Sequence, residues 1–188
     1  MTEAEVLQIF RDTQSLLDGH FLLRSGRHSR QYFQCALALQ YPRIAERLCG
    51  ELTAKLKNAG ARTVISPALG GLFVGHEVAR ALEVRHIFVE KNPAGKLELR
   101  RGFQIARREK MLVAEDVVTK GGRVQETINL VRGFGAEVVG VGTLVDRSDG
   151  KLDFGVRLES LLRLQVDTFD PAVCPLCKAG TPLMKPGS

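Results

Sequence analysis

Between residues 63 and 145 short apolar runs alternate with amphipathic stretches of helical period, and this alternation limits the chain to few architectures. Thr63-Val64-Ile65-Ser66, His86-Ile87-Phe88-Val89, Lys110-Met111-Leu112-Val113-Ala114 and residues 138–145 read as strands. Residues 74–82 and 123–134 between them read as helices, the second ended by Gly135. Strand–helix alternation of this kind predicts an α/β fold, a mainly parallel sheet with helices on both faces. Ligands of such sheets bind at the carboxyl ends of the strands, so the chemistry is expected in the segments that follow them.

Upstream, Thr2 with Glu5 has the form of a capping box, and Val6, Ile9, Phe10, Thr13, Leu16 and Leu17 keep a helical period up to Gly19. A turn-rich segment, residues 22–29, leads to an apolar stretch over residues 32–39. Pro42 opens a helix on which Ile44, Leu48, Leu52 and Leu56 recur every fourth residue before Gly60. The 188 residues suit one domain, 1–188, with residues 171–188 as an irregular tail rich in Pro, Cys and Gly. No run reaches the length of a membrane span, and the acidic N-terminus lacks the pattern of a signal peptide. A cytoplasmic location is expected, with thiols rather than disulfides. The net charge of +6 suits polyanions, but aromatics make up only 6% and the cations are dispersed, which favours a small phosphorylated metabolite over nucleic acid.

One segment carries most of the chemistry. The strand ending at Ala114 runs into Glu115-Asp116-Val117-Val118-Thr119-Lys120-Gly121-Gly122-Arg123 and then a helix. Two adjacent carboxylates can hold a ribose diol or hydrated magnesium. The glycine turn and helix start offer backbone N–H groups and a positive helix end to a phosphate. Other phosphate motifs fail: no G-x-x-x-x-G-K-[ST] occurs, and Gly140-Val141-Gly142 lacks a third glycine. His76-Glu77-Val78-Ala79-Arg80 has Arg where a zinc-protease helix needs its second His.

Residues 115–123 resemble the motif with which type I phosphoribosyltransferases bind phosphoribosyl diphosphate (PRPP). Residues 21–29 and Val145-Asp146-Arg147 are similar to the orotate phosphoribosyltransferases within that family. The resemblance runs from the first helix to about Leu164. It implies a small hood from roughly residues 1–40, and transfer of phosphoribosyl from PRPP to orotate, giving orotidine 5'-phosphate and pyrophosphate in pyrimidine nucleotide biosynthesis. It further implies Glu115 and Asp116 as catalytic carboxylates on the ribose hydroxyls, stabilising the ribosyl group during transfer, and Val117, Val118, Thr119, Lys120, Gly121, Gly122 and Arg123 around the 5-phosphate. Thr119 and Arg147 would meet orotate, Arg147 through its carboxylate. Ser66-Pro67-Ala68-Leu69-Gly70-Gly71 is similar to the family's pyrophosphate loop. Arg24, Ser25, Gly26, Arg27, His28 and Ser29, with Tyr32 and Phe33, would wall the ring. Magnesium would arrive with PRPP rather than on a protein-held metal site, and the working unit would be a homodimer. A purine phosphoribosyltransferase, or a PRPP-sensing regulator that binds nucleic acid, remains the alternative.

The chain departs from the family in its catalytic loop. The usual Lys-x-His-Gly unit is replaced by Glu90-Lys91-Asn92-Pro93-Ala94-Gly95-Lys96, without histidine. Lys91 and Lys96 are the candidate catalytic cations, on a segment, residues 90–101, expected to be a mobile lid. Cys174-Pro175-Leu176-Cys177 has the spacing of half a zinc site. No second pair matches it in sequence, so incidental thiols are expected there, as for the isolated Cys35 and Cys49.

Overall fold

A computed structural model describes residues 1–23 and 25–186; Arg24, one of the residues expected to wall the ring, lies outside the described residues. The chain order is α1 (Glu3–Asp12), β1 (Leu16–Leu22), β2 (His28–Phe33), α2 (Ala36–Leu39), α3 (Pro42–Leu56), β3 (Thr63–Pro67), α4 (Gly71–Leu82) and β4 (Arg85–Lys91). There follow β5 (Leu97–Leu99), β6 (Lys110–Val118), α5 (Gly122–Gly133), β7 (Glu137–Asp146), β8 (Leu158–Arg163), β9 (Thr168–Phe169) and α6 (Pro175–Lys178). A six-stranded sheet has the order β5-β4-β3-β6-β7-β8, parallel except for the edge strand β5. A three-stranded antiparallel sheet has the order β1-β2-β9.

Alternation along the strands builds two cores. Val64, Leu112, Ala114 and Leu144 pack with Leu48, Leu52 and Leu56 of α3 and Val74 and Val78 of α4. Their neighbours Ile65, Met111, Val113 and Val141 pack on the other face with Val124, Ile128 and Val131 of α5. Successive side chains of a strand point to opposite faces, so a sheet covered on both sides needs apolar residues at every position. That is the pattern of residues 111–114, and it bears out the predicted helices on both faces. Among the described residues no helix is long and apolar enough to cross a membrane.

One local expectation needs correction, and two others gain detail. The capping box of Thr2 and Glu5 forms, but α1 stops at Asp12 rather than near Gly19. The Thr13 hydroxyl donates to the Ile9 carbonyl at 2.8 Å and Gln14 turns left-handed (φ 56°), which sends Leu16 and Leu17 into β1. The polar stretch 90–101, expected to be a mobile lid, is folded as a hairpin. Lys91 pairs with Leu97 and Val89 with Leu99, the Arg101 guanidinium grips the Glu90 carboxylate at 2.7 and 2.8 Å, and Leu97 is buried. The tail is also ordered: Leu22 N–H donates to the Met184 carbonyl and Met184 N–H to the His20 carbonyl, each at 2.8 Å, which docks it against β1.

Helix α3 lies so close to β7 that a Cβ on Gly142 would stand 2.6 Å from Leu56 Cδ1 and 3.4 Å from Leu52 Cδ2. Both leucines are buried and have little room to yield. Gly142→Val is expected to lower stability by roughly 1–3 kcal/mol, the usual cost of overpacking a core. Chemical denaturation would check it; an unchanged midpoint would mean that α3 can move away from the sheet.

Candidate active site

The segments after β3 and β6 carry the residues singled out by sequence. These strands are parallel neighbours, Val64 beside Leu112 and Ile65 beside Val113, so their carboxyl ends open on one edge of the sheet. Each is followed by a helix running back, so the N-termini of α4 at Gly71 and α5 at Gly122 face that same edge. Two positive helix ends at one place suit a ligand with more than one phosphate.

β6 runs on to Val118, four residues beyond Ala114, because it keeps parallel pairing with β7 as far as Val118 opposite Asp146. Glu115 and Asp116 therefore project from regular strand backbone and not from a loose end. The Ser66–Gly71 loop lies directly on them. A Cβ on Gly70 would meet the Asp116 carboxylate at 2.7 Å, and one on Gly71 the Ala114 carbonyl at 2.9 Å and Glu115 Oε1 at 3.1 Å. Only glycine lets the loop come so near. The Ala68–Leu69 peptide is cis. Arg123 Nη1 donates to the Ala68 carbonyl at 3.1 Å and ties the start of α5 to the loop. Below, the Ser66 hydroxyl lies 2.7 Å from His86 Nε2, and burial lowers the pKa of His86 to about 4, so this ring is neutral.

The two carboxylates sit differently. Glu115 is buried, its Oε1 accepts the Asp116 N–H at 3.1 Å, and burial followed by the neighbouring Asp116 charge pushes its pKa up to about 9. Asp116 is half-buried; its Oδ1 accepts the Val117 N–H at 2.8 Å and its carbonyl accepts the Thr143 hydroxyl at 3.0 Å. Asp116 is thus the better placed of the two to meet a ligand. Thr119, Lys120, Gly122 and Arg123 are exposed around the turn. Gly121 is left-handed (φ 71°), and a Cβ there would strike Leu152 and Phe154 at 2.9 Å, so this position requires glycine.

Arg147 follows β7, and its N–H donates to the Val118 carbonyl at 2.8 Å, which brings it beside Thr119. Its Nε is buried without a hydrogen-bond partner, and burial lowers the guanidinium pKa from its ordinary value. An orphaned charged donor is costly, and a planar carboxylate is the partner its geometry fits. Between the ends of β7 and β8 opens a cleft of about 410 Å³ whose lining includes Asp146 and Arg163. Lys91 and Lys96 are exposed at the β4–β5 turn, at the same carboxyl edge of the sheet as β3 and β6.

Other expected wall residues make contacts within the small sheet and the core. Arg27 donates to the Thr168 carbonyl at 2.7 Å and Ser29 to the Asp167 carbonyl at 3.1 Å, binding the β1–β2 hairpin to β9. Phe33 packs edge-on against Phe10, centroids 4.8 Å apart, and belongs to the core. Sequence reasoning missed Thr143 and Cys35, which flank the Asp116 carbonyl; neither stands in a recognisable motif.

A phosphoribosyl transferase domain model matches residues 38–154. Across 188 residues the chain is 53% identical to the orotate phosphoribosyltransferase of Desulforamulus reducens, covering 100% of this chain and 98% of that one. The crystal structure of orotate phosphoribosyltransferase from Aeropyrum pernix superposes with a TM-score of 0.71 at 25% identity, over 85% of this chain and 93% of the other. The Mycobacterium tuberculosis enzyme, in complex with inorganic phosphate, superposes with a TM-score of 0.68 at 26% identity, over 86% and 95%. The site geometry and these likenesses agree, and the chain belongs to the orotate phosphoribosyltransferase family.

Proposed function

We propose that the chain transfers the phosphoribosyl group from PRPP to orotate, and the unpaired, buried Nε of Arg147 beside Thr119 carries the choice of acceptor. A purine offers no carboxylate to that guanidinium, whereas orotate does. The ring nitrogen of orotate, having given its proton to solvent, attacks C1 of the ribose, the bond from C1 to the diphosphate oxygen breaks, and its electron pair leaves with pyrophosphate. Positive charge develops on the ribose in the transition state, and the Asp116 carboxylate is the fixed negative group assigned to it. The turn after β6 and the N-terminus of α5 take the 5-phosphate; the Ser66–Gly71 loop and the N-terminus of α4 take the diphosphate.

Magnesium belongs to this reading as part of the substrate. Glu115 and Asp116 are the acidic pair at the site, and buried Glu115 favours its neutral form, so the residues do not build a protein cage for the ion. On PRPP it neutralises the departing diphosphate. Lys91 and Lys96 are assigned the rest of that charge. A homodimer is part of the proposal, supported by Leu69 and Phe73, 78% and 62% exposed at the start of α4, which offer apolar surface to a second copy.

The direct test is pyrophosphate release from PRPP and magnesium with orotate, uracil, hypoxanthine or adenine. Release with orotate alone is expected; release with a purine would move the chain to another acceptor class, and release with none would favour a PRPP-sensing regulator.

Asp116→Asn should lower turnover by roughly 10²–10³, the scale of one preorganised electrostatic group. Wild-type turnover at saturating PRPP would remove Asp116 from the mechanism. Arg147→Ala should cost roughly 1.5–3 kcal/mol in orotate binding, seen as a KM for orotate that rises far more than that for PRPP. Equal changes in both would point to a general disturbance of the site. Lys91→Ala and Lys96→Ala should each reduce turnover and leave orotate binding almost intact; two fully active variants would end the assignment.

Glu115 supplies a pH test. Its folded pKa of about 9 lies above the ordinary 4.5, so between these values the folded chain holds a proton that the unfolded chain has released. Its stabilising contribution is complete below pH 4.5 and is lost as pH rises towards 9. Calorimetry should find Glu115→Gln close to the wild type at pH 5 and more stable than it at pH 8. A gap independent of pH would show that Glu115 does not titrate in this way.

A further inference from the structure

The tail cysteines have histidine neighbours that sequence order conceals. Cys174 and Cys177 stand at either end of the first turn of α6, and the backbone hydrogen bonds between Met184 and β1 hold this segment against the hairpin. His20 of β1 and His28 of β2 are buried beneath it, at 1% and 6% exposure, and Cys174 is 1% exposed. His20 Nε2 lies 2.9 Å from His28 Nδ1 and 3.6 Å from Cys174 Sγ. Cys177 Sγ lies 3.3 Å from His28 Nδ1 and 3.8 Å from His20 Nε2. One ligand atom from each of the four residues falls within 4.8 Å of all the others.

Tetrahedral zinc imposes a particular spacing on its ligands. With Zn–S of about 2.3 Å and Zn–N of about 2.0–2.1 Å, tetrahedral angles put sulfur and nitrogen about 3.6 Å apart and two nitrogens about 3.3 Å apart. The cluster stands within a few tenths of an ångström of that at each nitrogen–sulfur and nitrogen–nitrogen distance given above. A second observation concerns the proton on His20. Its Nδ1 lies 2.8 Å from the Thr181 carbonyl, an acceptor, so Nδ1 carries the hydrogen and the Nε2 lone pair faces the cluster. A backbone carbonyl on the far nitrogen of an imidazole is the usual support of a metal-binding histidine.

We propose that His20 Nε2, His28 Nδ1, Cys174 Sγ and Cys177 Sγ bind one zinc ion, which clamps the tail onto the β1–β2 hairpin. Binding forms two Zn–N and two Zn–S bonds, and the two thiols release their protons to solvent. Two thiolates cancel the charge of the ion, so the buried centre carries none. All four positions are filled by protein, which makes the site structural and leaves no place for a reacting water. Its members belong to the small sheet and the tail, whereas Glu115 and Asp116 belong to the large sheet. The two nitrogen ligands lie on β1 and β2, so the clamp ties the two strands of the hairpin to each other as well as to the tail.

The test is made on the full-length, untagged chain, purified without chelators from zinc-supplemented medium. Elemental analysis should find about one zinc per chain, and about two protons should be released per metal on reconstitution. Cobalt in place of zinc should show the absorption of a tetrahedral thiolate-bound ion. A strong chelator should lower the thermal midpoint by at least about 5 °C, with recovery on adding zinc but not magnesium. Cys174→Ser with Cys177→Ser, or His20→Asn alone, should abolish stoichiometric zinc. Should those variants fail to fold, the metal content and cobalt spectrum of the wild type decide the matter. A metal-free chain with both thiols titratable, or an intact mass showing a Cys174–Cys177 disulfide, overturns the proposal. None of these readouts depends on phosphoribosyl transfer.

Discussion

The close approach of the Ser66–Gly71 loop to Glu115 and Asp116 organises this molecule. It requires two neighbouring parallel strands, each turning into a helix at the same edge, and two glycines where the loop meets the carboxylates. A methyl group on Gly70 would occupy the space of the Asp116 carboxylate itself. The loops after β3 and β6 are therefore not independent features on a scaffold. Their spacing follows from the register of β3 and β6, and Arg123 reaching the Ala68 carbonyl closes the link from the other side.

Such an arrangement stores unfavourable electrostatics. Two adjacent carboxyl groups on strand backbone, one of them buried, repel each other and lose hydration. The chain answers by keeping Glu115 neutral and by aiming backbone N–H groups at both side chains. The proton on Glu115 removes that repulsion and leaves Asp116 as the ionised member of the pair. Arg147 is a second buried group under electrostatic cost, its Nε without a hydrogen-bond partner, which under the proposed function the anionic acceptor would supply.

How much of this could be read from sequence depended on the distance along the chain over which each feature is defined. The strand–helix alternation, the covering of both sheet faces and the residues of the turn after β6 are local, and residues such as Met111 to Ala114 announce them. The end of α1 was misplaced because Thr13, Leu16 and Leu17 keep the helical period although Gln14 breaks the helix. The β4–β5 hairpin was hidden because β5 has three residues, too few for alternation to register, and its anchor is a salt bridge between Glu90 and Arg101. β8 and β9 were unforeseen for a related reason: their pairing partners lie in β7 and, for β9, at the opposite end of the chain.

The meeting of His20 and His28 with Cys174 and Cys177 is the extreme of this non-local class. Neither pair is informative alone, since two histidines eight residues apart fit no helix and a Cys-x-x-Cys offers only half a tetrahedron. Antiparallel pairing of β1 with β2 supplies one half, and docking of the tail along β1 the other. The small sheet needs such help. Its β1–β2 pair is a single hairpin joined at the far edge by a two-residue strand, and a lone hairpin is marginal in water. Arg27 and Ser29, which sequence placed against a ring, bind this hairpin to Thr168 of β9 and to Asp167 just before it. The small sheet is thus assembled from both ends of the chain, which lets the hairpin be held without enlarging the core beneath it.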